Sequence, residues 1–249
     1  MDVSSAYPEA TLEAAVPLGG LPSPAAIEKI ARKHLENHGY LYLFDVPDDF
    51  DHLGFLRAFG EFVPQYDGRL VWDLKPEPDM DDVYHSRNTR SLVPHTEAYE
   101  YPGLPPRYLA LWCVRPARGP GGETTLADGY AWLRTFSSEE REIMRTRRYE
   151  WTTSEGLVRR GVKWGNRHPI LESRDGVDVL RYSANNVNAD GDDFLPGFLR
   201  SGTEFFEENC IGVRIARNCL LLWDNWRMLH SRTSFKDSGR HLRRVLISA

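Results

Sequence analysis

The sequence of 249 residues is short of cysteine, lysine and long apolar runs, and each shortage excludes something. Its three cysteines, Cys113, Cys210 and Cys219, form no CxxC pair and no zinc-finger spacing, and an odd number makes a poor disulfide framework. A reducing, cytoplasmic setting is therefore expected. No apolar run approaches the roughly 20 residues of a membrane-spanning helix. The first residues lack the cationic start and apolar core of a secretory leader, so neither a membrane nor a secreted protein is expected. Of 31 basic residues only five are lysine, and 36 acids outnumber them to leave a net charge of −5. Nucleic acids and anionic lipid surfaces are recognised through a positive field, and no basic run is present to build one.

What is present is material for a core: 41% of residues are hydrophobic and 12% aromatic, in a length that suits one large domain. Residues 1–23, rich in Pro, Gly, Ala and Ser, are expected to form an extended arm, and residues 24–249 a single domain. Ser23-Pro24 supplies a cap and a first-turn proline for a helix to about Asn37, with Ile27, Ile30, Ala31 and Leu35 at helical spacing and His38-Gly39 to end it. Tyr40–Phe44 reads as a strand and Phe50–Phe62 as a second helix. Short strands are then expected at Leu70–Leu74, Arg107–Val114, Glu123–Ala127, Arg148–Thr153, Val179–Ser183, Gly212–Ile215, Leu220–Trp223 and His241–Ser248. Helices at Gly129–Phe136, Ser138–Arg145 and Phe194–Asn209 interrupt them. The class is mainly β with α, in a sandwich or jelly roll.

The most informative segment is Pro94-His95-Thr96-Glu97. In an extended chain, side chains alternate faces, so His95 and Glu97 point to one side and Thr96 to the other. Alone, an H-x-E triplet is a weak signal. His230, at the end of the return that follows Leu220-Leu-Leu-Trp-Asp-Asn, completes the ligand types of a two-His-one-carboxylate triad, which binds Fe(II) and leaves positions open for other ligands. Further on, Arg240 and Arg244 share a face of an extended segment, with Arg243 opposite. A buried guanidinium pair is costly unless anions meet it, which points to acidic small molecules.

This set, His95-Thr-Glu97, Gly121-Gly-Glu-Thr124, Trp223-Asp-Asn, His230 and Arg240-x-x-x-Arg244, resembles the Fe(II)/2-oxoglutarate-dependent dioxygenases of the taurine dioxygenase and clavaminate synthase-like superfamily, in order and spacing, from about residue 24 onward. The resemblance implies a double-stranded β-helix (a cupin-like jelly roll) with flanking helices. It implies iron on His95, Glu97 and His230, and the distal carboxylate of 2-oxoglutarate on Arg240 and Thr124, with O2 as oxidant. It also implies that Arg244 meets an acidic group of the prime substrate or lies beside the cosubstrate. Trp226 departs from the Arg often found after Trp-Asp-Asn, although Arg227 matches the next one. Halogenases of related fold replace the carboxylate with Gly or Ala; Glu97 keeps it, so hydroxylation is expected, with succinate and CO2 as co-products.

For the substrate, the HTE form and Arg-His-Leu-Arg-Arg point to a free or carrier-bound amino acid. Asn88, in the polar loop Tyr84–Ser91, and Asn186, after Tyr182-Ser-Ala-Asn, are expected to touch it. Asp190, Asp192 and Asp193 either receive a cationic side chain or form a solvated loop, and Trp164 and Trp226 either pack or wall the pocket. A sulfonate or other organic acid held by Arg244 is one alternative, and a metal-binding sensor without turnover is another.

Overall fold

The computed structural model describes residues 12–19, 23–83, 85–188 and 191–248. The first helix, Pro24–His38, begins where Ser23 Oγ accepts the Ala26 N–H. It ends at Gly39, whose φ of 77° lets its N–H close on the Leu35 carbonyl. Ile27, Ala31 and Leu35 fall one turn apart and are buried. A side chain at Gly39 would put its Cβ 2.4 Å from Met228 Sδ, so this turn needs glycine for space as well as for its left-handed backbone.

From there Tyr40–Phe44 enters a seven-stranded sheet ordered Ala15–Pro17, Tyr40–Phe44, Leu220–Asp224, Tyr108–Arg115, His241–Ile247 and Phe62–Val63, with Val71–Leu74 also on His241–Ile247. All pairs are antiparallel except Ala15–Pro17 with Tyr40–Phe44. Part of the segment expected as an arm thus joins the sheet, and Ala14, Val16 and Leu18 are buried. A three-stranded sheet contains Ile211–Val213, Thr124–Asp128 and Met228–Arg232.

The central strands are apolar on both faces because both are covered. Leu221 and Trp223 join Leu109 and Leu111 of the large sheet and Leu126, Val213 and Met228 of the small one in one cluster. Leu220, Leu222, Ala110 and Trp112 face the other way, onto Ile27, Ala31, Leu35 and Phe59. The small sheet's outer residues, Ala127 and Leu229, pack on Trp132, Phe198 and Phe206, so helix Leu195–Asn209 closes that side. The layers run helix, large sheet, small sheet, helix, a mainly β arrangement with helices outside.

Boundaries moved where glycines decide them. The expected helix Phe50–Phe62 is only His52–Arg57. Gly60, at φ 148°, then swings Phe62–Val63 onto the Leu246–Ile247 edge. Leu171–Arg174 and Val177–Leu180 form a hairpin through Asp175-Gly176, both at positive φ, as a two-residue Asp-Gly turn favours. The expected strand Val179–Ser183 therefore starts and ends earlier. Strand Gly165–His168 and helix Glu155–Arg159 were not expected. Among the described residues, no helix is long and apolar enough to cross a membrane.

Candidate active site

His95, Glu97 and His230 converge: one ligand atom from each lies within 4.8 Å of the others. His230 sits on Met228–Arg232, opposite Leu126 of the neighbouring strand. The segment with His95 lies across it, exchanging His95 N to His230 O at 3.0 Å and His230 N to His95 O at 2.8 Å. Thr96 points away, as alternation requires, and its Oγ accepts the Tyr182 N–H at 3.1 Å. The imidazole rings of His95 and His230 lie 4.1 Å apart between centroids.

His95 and Glu97 are each held by a second group, as metal-binding side chains usually are. His95 Nδ1 lies 2.9 Å from the Val93 carbonyl, where it donates, leaving the Nε2 lone pair free for a metal. Burial, reinforced by the neighbouring His230, lowers the His95 pKa to about 3, so its ring is neutral at physiological pH. His230 Nε2 faces Glu97 Oε2 at 3.6 Å, and its Nδ1 is buried without a hydrogen-bond partner among the described residues. Burial alone would raise the Glu97 carboxyl, but Arg244, aided by His230 and His95, outweighs it and holds the pKa at about 2. A neutral imidazole at His95, a second imidazole at His230 and an ionised carboxylate at Glu97 make the donor set that suits Fe(II).

Asn225 clamps the backbone of Glu97. Its Oδ1 accepts the Glu97 N–H at 2.6 Å, and its Nδ2 donates to Glu97 O at 3.0 Å and Pro106 O at 2.9 Å. The Trp-Asp-Asn motif marked this residue by sequence without revealing its task. Asn225→Ala is expected to weaken divalent-metal affinity about 10–100-fold, the usual cost of removing an outer support. Competition with a chelating dye measures this, and Asn225→Asp should not rescue, because a carboxylate oxygen would face two carbonyls.

The two arginines differ. Arg244, 4% exposed, donates to Glu97 Oε1 at 2.7 Å and to Gln65 Oε1 at 2.8 and 3.0 Å, with its guanidinium carbon 4.7 Å from the Trp72 ring centroid. The anion it meets is therefore Glu97, one of the three metal-ligand candidates. Arg240, 5% exposed, has no carboxylate within ion-pair distance among the described residues. It donates to Gly122 O at 3.1 Å and stacks on Phe235 at 5.0 Å. Burial depresses its guanidinium to about 10. A Cβ on Gly122 would lie 3.3 Å from Arg240 Nε, so the glycine pair lets the guanidinium close in. Thr124, two residues on, is buried on the strand that pairs with that of His230.

A cavity of about 470 Å³, counting its open mouth, lies against His95 and Glu97 and is walled by Tyr66, His85, Glu100 and Arg244. Arg240 and Thr124 are not in its lining. Asn88 is behind the wall: its Nδ2 donates to Val83 O at 2.6 Å, and its Oδ1 accepts from Arg232 Nη2 at 2.7 Å. The loop reaches the cavity through His85 and Ser86 instead. Asn186 Nδ2 donates at 2.7 Å to the hydroxyl of Tyr99, which does line the cavity. Asp192 and Asp193 bind Arg147 at 3.1 and 2.6 Å, and Asp192 caps the following helix by accepting from Leu195 N, so both act as loop residues. Asp190 and Tyr84 lie outside the described residues. Trp226 is buried, with Nε1 on Pro105 O, and packs in the core; Trp164 is 38% exposed.

The sequence matches the family model described as taurine catabolism dioxygenase TauD, TfdA family, over residues 11–246. Human gamma-butyrobetaine dioxygenase is 24% identical over 216 residues, which cover 80% of this chain and 53% of that protein. The chain thus spans about half the length of the curated relatives it matches. Among solved structures, asparagine oxygenase in complex with Fe(II), 3-hydroxyasparagine and succinate superposes with a TM-score of 0.75 at 18% identity, covering 90% of this chain and 80% of that one. The non-heme iron oxygenase OrfP with Fe and alpha-ketoglutaric acid gives 0.67 at 20% identity, covering 90% and 82%. PvcB from Pseudomonas aeruginosa gives 0.65 at 22%, covering 94% and 82%. A family match running through all three metal-ligand candidates and both buried arginines agrees with the motif order read from the sequence: this chain belongs to the TauD, TfdA family.

Proposed function

We propose that this protein is an Fe(II)- and 2-oxoglutarate-dependent oxygenase that hydroxylates a small amino-acid-like substrate, and that residues 24–249 form one double-stranded β-helix domain. His95, Glu97 and His230 would hold the metal, and Arg240 with Thr124 the distal carboxylate of 2-oxoglutarate. The metal and cosubstrate together supply the oxidation, with 2-oxoglutarate leaving as succinate and CO2. The chain's own residues orient and insulate. His95 and Glu97 enter as neutral and ionised donors, Asn225 fixes the Glu97 backbone, and the cavity opens beside them.

The observation that carries this reading is Arg240. A cation buried beside a glycine pair and an aromatic ring, with no acid among its partners in the described residues, costs stability unless an anion arrives from solution. A sensor that binds metal alone has no use for it. The organic-acid alternative loses support because the arginine it needed, Arg244, is engaged by Glu97 and Gln65. Two matched structures, one in complex with hydroxylated asparagine and one with alpha-ketoglutaric acid, point the same way.

Anaerobic addition of Fe(II) and 2-oxoglutarate to metal-free protein should produce the weak visible charge-transfer band of the chelated pair. On admitting air with an accepted substrate, one succinate should form per oxygenated product. No band with the wild-type protein would overturn the assignment.

A further inference from the structure

One carboxylate in the cavity has no task in the chemistry above. Glu100 is 1% exposed and lines the same cavity as His95 and Glu97. Its side chain accepts from the Tyr66 hydroxyl at 2.6 Å. Among the described residues, no Lys, Arg or His lies within ion-pair distance of it. The nearby guanidinium of Arg181 is spent elsewhere, on Tyr99 O at 2.7 Å and Glu172 Oε2 at 3.2 Å. Arg244, the cation of the cavity wall, is held by Glu97. Burial raises the Glu100 carboxyl to about 7, a carboxylate short of positive charge.

The surroundings define what can fill that deficit. Tyr66, which orients Glu100, sits in an aromatic group with Tyr101 at 5.7 Å and Trp164 at 5.5 Å between centroids. Asn166 Nδ2 ties the Glu100 backbone carbonyl at 2.7 Å, so the carboxylate is fixed from both ends. Of these rings Tyr66 lines the cavity, as does Tyr99; a positioned carboxylate beside electron-rich rings favours a cation on electrostatic grounds, and gives an anion or an apolar group nothing in return for its desolvation.

We propose that Glu100 anchors a basic nitrogen of the prime substrate, so that the cavity selects compounds carrying an ammonium or guanidinium group. This rests on the oxygenase reading, and it adds a charge requirement to it. Glu100 makes the site disfavour acidic and neutral isosteres, because each would leave the buried carboxyl without a counter-charge or with a proton taken up.

The test uses matched pairs that differ in one nitrogen: L-arginine against L-citrulline, L-lysine against L-norleucine, and each amino acid against its 2-hydroxy acid, which removes the α-ammonium. With the full chain, Fe(II) and 2-oxoglutarate, loss of the contacted nitrogen should lower kcat/KM at least tenfold. Glu100→Gln, nearly isosteric, should bring that ratio close to one while leaving the KM for 2-oxoglutarate unchanged. Anaerobic calorimetry should show the basic compound binding at least tenfold more weakly to Glu100→Gln, with the metal–cosubstrate band intact. Which pair shows the effect identifies the nitrogen as α or side-chain. A discrimination ratio equal in wild type and Glu100→Gln, or wild type binding neutral partners as tightly as basic ones, would overturn the proposal. If the wild-type band is missing, the oxygenase reading fails, and calorimetry on the same pairs still decides the role of Glu100.

Discussion

Arg240→Met should separate ligand binding from stability in a way few substitutions do. The KM for 2-oxoglutarate is expected to rise about 30–1,000-fold, from the roughly 2–4 kcal/mol that a buried charge pair loses when one partner is truncated. The ligand-free protein should melt at the same temperature or higher. The reason is that Arg240 is buried at 5% exposure with a carbonyl and a ring for company and no acid, so its charge is a net cost until an anion arrives. Methionine fills a similar volume without that cost. Thermal melts with and without 2-oxoglutarate check both halves at once, since a bound ligand stabilises the fold by an amount that grows with the logarithm of its concentration over Kd. A variant that lost stability when ligand-free but kept its KM would show that Arg240 serves the fold alone.

The same contrast shows what the sequence could and could not disclose. Cap, periodicity and stop were all local in Ser23-Pro24 through Gly39, and the helix runs Pro24–His38. Strand Leu220–Asp224 was visible as an apolar run because both of its faces are buried. Gly165–His168 has no apolar residue to betray it, and it is a strand because Tyr149–Thr152 offers it an edge. The Asp175-Gly176 turn was written in the chain, but Leu171–Arg174 beside it shows a single fully buried position, too little pattern to mark a partner.

At the site, alternation sufficed for His95 and Glu97, because two residues of one strand share a face whatever the rest does. Which anion a guanidinium meets is a different question. Arg240 and Arg244 are alike in sequence and in burial, yet Arg244 binds Glu97, a residue 147 positions away, while Arg240 has no acid within ion-pair distance among the described residues. That pairing depends on where His241–Ile247 lies beside Tyr108–Arg115, with a register shift at His241/Leu242. Asn88 and His85 belong to one polar loop, and only the fold decides that His85 faces the cavity while Asn88 ties Arg232. Glu100 had no motif at all; an acid set among Ala98, Tyr99 and Tyr101 was its one sign of burial.

Arg244→Met should produce the opposite result to Arg240→Met. Glu97 would keep its burial and lose the 2.7 Å contact that offsets it, and removing one partner of a buried pair costs about 3–5 kcal/mol. The metal-free protein should therefore melt about 10 °C lower, at roughly 2–4 °C per kcal/mol for a chain of this size. The pH dependence changes as well. In the wild type the Glu97 pKa is lowered to about 2 from its ordinary 4.5. Its stabilising effect is thus complete above about 4.5 and lost only as pH falls toward 2. Without Arg244, only His230 and His95 oppose the effect of burial and the pKa rises, so the carboxyl takes up a proton on folding and stability falls as pH rises through the new value. Metal binding must then displace that proton, so affinity in the variant should climb with pH across a range where Glu97 contributes no slope in the wild type. Melts in chelator and with saturating Mn(II), from pH 5 to 8, measure both effects. Mn(II) should restore more stability to the variant than it adds to the wild type, because the ion supplies the charge that Arg244 took away. If the metal-free variant melts within 2 °C of the wild type, the contact with Glu97 is incidental, and Arg244 is free to serve the substrate instead.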